Sequence, residues 1–325
     1  MEVSFIGASV RIHTPAKLNL FLEVLAERSD GFHEIETLMA AVRVYDTLYI
    51  EREKGGRIQL TCRWAMGREA TAVSRAGIAQ SSLLGDLPEE KDNLVWRAVE
   101  RLRQCAEVDA GVNVRLIKRI PAAAGLGGAS SDAAAALAGA NLVWRLGWSR
   151  CQLSEIAAEI GSDVPFFLHD APQGAGMAVC RGRGERMEPL AGMPHLHFVI
   201  VRPPEGLSTA EVYRNCRPAE RPMRAQRLVD ALRRGISSEI GSGLFNRLQT
   251  TAAQRSVWVN KTRRIFDQID CLGHQMSGSG TSYFAICRHA RHARRLLAVV
   301  RAAGFEQAFR AETTTMPPYI EAIPA

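Results

Sequence analysis

The spacing of hydrophobic and polar positions predicts a chain that alternates between strands and helices. Residues 11–25 end in a dense apolar run, and 42–51 repeat a strand pattern. Apolar residues three and four apart predict a helix over 93–106, and strict alternation predicts a strand over 111–121. The later predicted elements are helices over 130–146 and 149–161, a hairpin over 176–190 and a strand over 195–204.

Boundary signals support several of these elements. Ser149 is a suitable N-cap, Gln152 stands at the capping-box position, and Gly161 ends the same helix. Asp30-Gly31 marks a turn. Val164 precedes a proline and is therefore expected to be extended. Strands interleaved with helices, without a regular βαβ period, indicate an α+β protein.

The division of the chain follows from its composition. Residues 64–90 mix alanine, serine, glycine and charge without a period, which indicates an inserted excursion. A composition shift at 170–175 predicts two domains, 1–172 and 173–325. A length of 325 residues with 46% hydrophobic content suits this division.

Composition also narrows the class of protein. No apolar run reaches about 18 residues, so no membrane span and no membrane partner are expected. The first residues show no secretory signal. Seven cysteines without a CxxC pair indicate reduced thiols in a cytoplasmic protein.

The net charge of +7 favours anionic partners. The arginine-rich run 288–295 could touch nucleic acid, but a helix that exposes arginines to water is the commoner explanation. The eight histidines contain no HExxH, and His289 and His292 lack a carboxylate partner, so no metal site is predicted.

A glycine-rich string, IPAAAGLGGASSDAAAALAG, occupies residues 120–139. One interpretation is an ordinary loop that ends in a serine-capped helix. The other is a phosphate site, because converging backbone N–H groups and a helix N-terminus attract anions. The string lacks the GxxxxGK[ST] of a Walker loop. Alone it leaves both interpretations open.

Three strings together resemble the motifs of the GHMP kinases. TPAKLNLFLEV is similar to their first motif, PAAAGLGGASSDAA to the second, and MSGSGTSYFAI to the third, in the family's order across nearly the whole chain. The resemblance implies a two-domain α+β fold. Its N-terminal part would resemble the ribosomal S5 domain 2 fold, and its C-terminal part a ferredoxin-like α/β sandwich.

Further strings resemble one branch of this superfamily. These are PAKLNLFLEVLAERSDGFHEIETL, IGSDVPFFL and GRGE. The branch uses ATP to phosphorylate a hydroxyl of a diphosphocytidyl sugar alcohol on a route to isoprenoids. The resemblance therefore implies an ATP-dependent kinase with a small cytidylyl substrate, no nucleic-acid partner, and a monomeric or weakly dimeric state.

The resemblance also assigns catalytic roles. Asp163 would accept the proton of the substrate hydroxyl, and Lys17 beside it would stabilise the charge that develops on the transferred phosphoryl group. Asn19 lies two residues after Lys17, hence on the same face of a strand, and would contact substrate. In the absence of the resemblance, Asp163 would be taken as a helix cap and Lys17 as a solvated lysine.

Substrate recognition is implied at two places. Phe32, where the family usually has tyrosine, and Tyr213 would stack on cytosine, while His33 would bond to the edge of the base. Ser277 and Gly278 would approach the phosphate and substrate diol. Without the resemblance, these residues would be an ordinary aromatic, an exposed histidine and a tight turn.

The ATP site is assigned to the glycine loop. Its members would be Pro121, Ala124, Gly125, Leu126, Gly127, Gly128, Ser130 and Ser131. Mg²⁺ would be held mainly by ATP, with help from Ser131. FNRLQ at 245–249 departs from an acidic run that the family usually has. Two alternatives stay open: a kinase for another alcohol, and a non-catalytic nucleotide- or nucleic-acid-binding protein on this scaffold.

Overall fold

The computed structural model describes residues 1–6, 9–65, 87–168 and 176–315. In this part of the chain, two antiparallel-rich sheets pack with helices into one body, which confirms the α+β class. The strands are β1 Glu2–Ile6, β2 Ser9–Glu27, β3 His33–Glu53, β4 Ile58–Trp64, β5 Gly111–Lys118, β6 Met177–Gly182, β7 Arg186–Leu190, β8 His197–Val201, β9 Phe245–Asn246, β10 Gly273–Met276, β11 Tyr283–Cys287 and β12 Ala308–Glu312.

Nine α-helices connect these strands in the described ranges. They are α1 Leu94–Cys105, α2 Gly128–Trp144, α3 Arg150–Ile160, α4 Thr209–Arg214, α5 Gln226–Arg234, α6 Ser237–Gly243, α7 Leu248–Arg255, α8 Val257–Asp267 and α9 Ala290–Ala302. Short 3₁₀ turns cover Glu90–Asp92 and Pro165–Phe167.

The long antiparallel ribbon of β2 and β3 is the backbone of the first sheet. In its register Lys17 pairs with Ala41 and Asn19 with Met39, and register shifts occur on both sides of this segment. Such bulges bend a strand and redirect its side chains. The ribbon therefore presents Lys17 and Asn19 at an irregular place in an otherwise regular sheet.

The first sheet runs β1-β2-β3-β5-β4, with β6 added along the first half of β3, β7 paired with β6, and β9 along β2. Helix α2 is buried along nearly its whole length against this sheet. A Cβ added at Gly139 would lie 2.2 Å from Ile50 Cδ1, so glycine permits the close approach of helix and sheet. This contact orients the N-terminus of α2.

The second sheet has the order β10-β11-β8-β12 and is antiparallel throughout. One face packs on α7, α8 and α9. The other meets the first sheet and α5 in a buried cluster that includes Leu18, Phe198 and Phe284. This packing places the loop between β10 and β11 against β2.

The structure agrees with most of the predicted elements. Ser149 and Gln152 form the expected capping box at the start of α3. The prediction for Val164 is wrong, because this fully buried residue has φ −63° and ψ −43° and leads into the turn Pro165–Phe167. Its N–H donates to Gly161 O at 3.1 Å, so tertiary packing outweighs the local preference of a pre-proline residue.

Two sequence predictions fall largely outside the described residues. The composition shift at 170–175 lies there, and most of the excursion 64–90 does as well. The division into 1–172 and 173–325 stays a prediction. Strands β6 and β7 follow that boundary; β6 pairs with β3 of the first sheet, and β7 pairs with β6.

Candidate active site

A cavity of about 1090 Å³ opens where the glycine loop, β2, the start of β3 and α4 meet. This volume is large enough for two ligands side by side. All but two of the site residues expected from the sequence line it. The exceptions are Ser131 and Ser277.

The glycine loop has the backbone shape of an anion cradle. Ala123, Gly125 and Gly127 have φ values of 49°, 71° and 68°, and alternate with residues of negative φ. Such alternation turns successive N–H groups toward one point. Helix α2 begins at Gly128 without a side-chain cap, so its first N–H groups stay available at the positive end of the helix dipole.

Backbone hydrogen bonds tie the three motifs together. The N–H of Lys17 donates to Leu126 O at 2.9 Å, and that of Ser282 to Ala124 O at 3.2 Å. A Cβ on Gly125 would lie 2.2 Å from the carbonyl oxygen of Ser277, so this contact requires glycine. The strand, the glycine loop and the loop before β11 therefore form one surface.

Lys17 and Asp163 form an ion pair beside this loop. Lys17 Nζ lies 3.1 Å from Asp163 Oδ2, and their side chains are 4% and 30% exposed. Lys17 Nζ also donates to Asn19 Oδ1 at 2.6 Å. The side chain of Lys17 runs against Gly127, where an added Cβ would lie 2.8 Å from Lys17 Cγ. The ammonium is thus fixed, while the carboxylate keeps contact with the cavity.

Asn19 is itself held in one orientation. Its Nδ2 donates to Thr37 Oγ1 at 2.9 Å, and the Thr37 hydroxyl donates to Phe21 O at 2.6 Å. This leaves the amide oxygen facing Lys17. Because every partner is buried, the pair Lys17–Asn19 forms a rigid wall of the cavity.

An aromatic and imidazole cluster forms the far end of the cavity. The rings of His33 and Tyr213 are 5.4 Å apart, and His33 Nε2 is buried without a hydrogen-bond partner. Phe32 is 48% exposed. An unpartnered buried nitrogen beside two rings tilted by 45° is suited to a planar polar ligand.

Ser131 and Ser277 differ from the sequence expectation in their contacts. Ser131 is fully buried, and its hydroxyl donates to Pro15 O at 2.6 Å. Ser277 is also fully buried; its hydroxyl accepts from Asn19 N at 3.2 Å and donates to Gly125 O at 2.9 Å. Both hydroxyls join backbone segments, so Ser131 does not fit as a Mg²⁺ ligand.

Sequence reasoning missed a buried charge cluster under the glycine loop. Lys118 Nζ lies 2.5 Å from Asp46 Oδ2 and 2.6 Å from Asp132 Oδ2. Burial lowers the pKa of Lys118, but the two carboxylates more than offset this, so the pKa lies above its usual range. Burial raises the pKa of Asp132 and Lys118 opposes that shift. Asp132 directly follows the serines of the loop, the one local signal available.

Arg183 was also missed, although it stands within the GRGE string. Its guanidinium carbon lies 4.7 Å from the centre of the Phe32 ring, and Nη2 donates to Ala158 O at 3.1 Å. The side chain thus spans from the aromatic end toward the segment that carries Asp163.

Asn246 is a third residue that the motifs did not indicate. Its Nδ2 donates to the carbonyl oxygens of Met276 and Gly278, both at 2.8 Å. The neighbouring Arg247 is held by the buried Glu23 at 2.7 Å. The segment 245–249 therefore supports the loop between β10 and β11.

We expect Asn246→Ala to lower kcat/KM by about 10- to 100-fold, because the freed loop displaces Gly278 and Asn19. Steady-state kinetics on the purified variant measure this. Asn215→Ala is the matched control, because Asn215 is exposed and donates within its own helix end. An Asn246→Ala enzyme with unchanged kcat/KM would show that the loop is held without it.

Comparisons with known proteins agree with this geometry. The model of the GHMP kinases N terminal domain matches residues 93–171, and that of the GHMP kinases C terminal domain matches 228–306. The fold and the site therefore define an ATP-dependent small-molecule kinase of the GHMP class.

Individual relatives narrow the class. A 4-diphosphocytidyl-2-C-methyl-D-erythritol kinase of Pelotomaculum thermopropionicum is 40% identical, over 88% of this chain and 92% of the relative. One of Rhodopirellula baltica is 38% identical, over 86% and 87%. The chain belongs to the family of 4-diphosphocytidyl-2-C-methyl-D-erythritol kinases.

Solved structures give the same result. A crystal structure of 4-(cytidine 5'-diphospho)-2C-methyl-D-erythritol kinase superposes with a TM-score of 0.73 at 30% identity, covering 94% of this chain and 99% of that one. The homoserine kinase of Cytophaga hutchinsonii has a TM-score of 0.69 at 18% identity, which indicates a shared fold. Within the described residues, no helix is long and apolar enough to cross a membrane.

Proposed function

We propose that this kinase transfers the terminal phosphoryl group of ATP to the 2-hydroxyl of 4-diphosphocytidyl-2-C-methyl-D-erythritol, a step in isoprenoid precursor synthesis. The observation that carries the proposal is the Lys17–Asp163 pair, which stands between an anion cradle and an aromatic end in one cavity. The names of the relatives support this choice of substrate.

In this proposal the glycine loop and the start of α2 bind the phosphates of ATP. Asp163 accepts the proton of the attacking hydroxyl, and Lys17 stabilises the negative charge on the transferred group. Phosphoryl transfer requires little covalent participation from the protein, so positioning and charge supply most of the rate. The rigid contact of Lys17 with Asn19 provides that positioning.

The aromatic end would hold the cytosine. Phe32 and Tyr213 offer ring faces, and the unpartnered Nε2 of His33 offers a hydrogen bond to the edge of the base. Phe32 keeps the stacking face of the family's usual tyrosine without its hydroxyl. Arg183, which contacts the Phe32 ring and Ala158 O, would face the diphosphate that links base and sugar alcohol.

Mg²⁺ would reach the site with ATP. The Ser131 hydroxyl already donates a hydrogen bond to Pro15 O. We therefore propose that phosphate oxygens and water are the main ligands of Mg²⁺, which commonly prefers such ligands. Bound there, the ion would neutralise charge on the phosphates. Lys17 would do the same from the protein side.

A direct assay tests the function. The purified chain is incubated with ATP, Mg²⁺ and 4-diphosphocytidyl-2-C-methyl-D-erythritol, and the phosphorylated product and ADP are identified by mass spectrometry. A parallel reaction with mevalonate tests the alternative alcohol. Product from mevalonate alone, or from neither alcohol, would overturn the proposed substrate.

We expect His33→Ala to raise the KM for the cytidylyl substrate about 10-fold or more, because the base loses its edge contact. The KM for ATP should stay unchanged, since His33 lies at the opposite end of the cavity from the glycine loop. Initial rates with each substrate varied in turn measure both constants. An equal rise in both would contradict a role in base recognition.

We also propose a cytoplasmic enzyme that is monomeric or weakly dimeric and has no nucleic-acid partner. All seven cysteines lie in the described residues and are free thiols, which suits a reducing compartment. Sedimentation at several protein concentrations tests the oligomeric state. Retention of RNA with a steep salt dependence would revive a nucleic-acid partner.

A further inference from the structure

Two histidines and a glutamate share one face of the second sheet, at the ends of β8 and β12. The register pairs His197 directly with Glu312. His195 precedes His197 by two residues, so both imidazoles lie on the same side of the chain. None of the three lines the active-site cavity.

The spacing of their ligand atoms is compatible with a metal site. One nitrogen of each imidazole and a carboxylate oxygen all lie within 4.8 Å of one another. His195 Nε2 is 3.2 Å and His197 Nδ1 3.6 Å from Glu312 Oε2. An ion bound tetrahedrally at about 2.1 Å from each ligand separates the ligands by about 3.4 Å.

We propose that His195, His197 and Glu312 bind a divalent transition-metal ion such as Zn²⁺. Two imidazole nitrogens with one carboxylate oxygen suit Zn²⁺, Co²⁺ or Ni²⁺, whereas Mg²⁺ prefers oxygen ligands. His195 is exposed, so water can enter the site and complete the coordination.

Outer contacts orient these ligands. His195 Nδ1 lies 3.4 Å from Thr313 Oγ1, which leaves Nε2 directed toward the carboxylate. Arg43 Nη1 donates to the other carboxylate oxygen, Glu312 Oε1, at 2.9 Å. Partners of this kind fix the ring orientation and carboxylate geometry in metal sites.

A bound ion would strengthen the second sheet at the edge where it meets the first. It would join β8 to β12, and Arg43 would extend the link to β3. The backbone bridge between Val42 and Thr313 already connects the sheets at the same place. The role of the ion is thus structural and independent of the kinase reaction.

The test is a titration of the full-length chain, freed of metal with a chelator and without a histidine tag. Calorimetry with Zn²⁺ measures affinity, and the visible spectrum with Co²⁺ reports coordination by nitrogen and oxygen. Four proteins are compared: wild type, His197→Ala, Arg43→Gln and His13→Ala. His13 is the control, because it lies on β2 and bonds to Thr47.

We expect one ion per wild-type chain, a loss of more than about 100-fold in affinity in His197→Ala, and no change in His13→Ala. Arg43→Gln should bind about 10-fold or more weakly, because Glu312 loses the contact that orients its carboxylate. Kinase activity of each variant confirms that it is folded. Zn²⁺ binding that persists in full in His197→Ala, at thiols for example, overturns the site, as does an unchanged affinity in Arg43→Gln.

Discussion

Asp163→Asn is expected to lower kcat by about 10²- to 10⁴-fold, the range that general-base catalysis contributes. The amide keeps the size of the carboxylate but cannot accept the proton of the attacking hydroxyl. Lys17 keeps its contact with Asn19, so the wall of the cavity stays in place. Initial-rate kinetics with saturating ATP and cytidylyl substrate measure the loss.

The affinity for ATP separates this mechanism from misfolding. The phosphate cradle is built from backbone groups of 123–128, which Asp163 does not hold, so the dissociation constant of ATP should stay nearly unchanged. Glu159→Gln is a matched control, because Glu159 is an exposed carboxylate of the preceding helix, paired with Arg101. Full turnover in Asp163→Asn would remove this residue from the mechanism.

The sequence predicted the parts of the site that are formed by short contiguous segments of the chain. The glycine loop needs small residues at positions of positive φ, and the two-residue spacing of Lys17 and Asn19 places both on one strand face. Local chemistry is therefore visible in the order of residues. That Lys17 and Asp163 meet was implied by resemblance and is now seen at 3.1 Å.

The parts that the sequence could not predict depend on contacts between distant segments. From the sequence, the Ser131 hydroxyl is a suitable ligand for a metal ion. In the structure this hydroxyl donates instead to Pro15 O on β2. Asn246 acts through a loop thirty residues later. His197 meets Glu312 only because β8 pairs with β12. No local pattern encodes such pairings, since they arise from how the sheets assemble.

Lys118 makes long-range contacts that no local pattern indicates. We expect Lys118→Met to destabilise the fold by about 3–5 kcal/mol. The ammonium is the cation that two buried carboxylates, Asp46 and Asp132, share. Methionine fills the space but leaves both carboxylates without a cationic partner. Asp46 also accepts from the N–H groups of Arg119 and Ile120, so the residues leading into the glycine loop should loosen too. Equilibrium unfolding in urea measures the free energy.

The stability loss in Lys118→Met should depend on pH in a definite direction. Without Lys118, the pKa of Asp132 rises further above its unfolded value, because burial already raises it and the opposing charge is gone. The folded variant then binds more protons than the unfolded chain, so its stability falls as pH rises and the deficit against wild type is smaller at acidic pH.

Two further variants decide whether charge is the cause. Lys118→Met combined with Asp132→Asn removes one of the uncompensated carboxylates and should recover part of the lost stability. Lys54→Met, at an exposed lysine, should change the free energy of unfolding by less than about 0.5 kcal/mol. A Lys118→Met protein as stable as wild type at neutral pH would mean that the two carboxylates are neutralised by other means, and that Lys118 does not support the glycine loop.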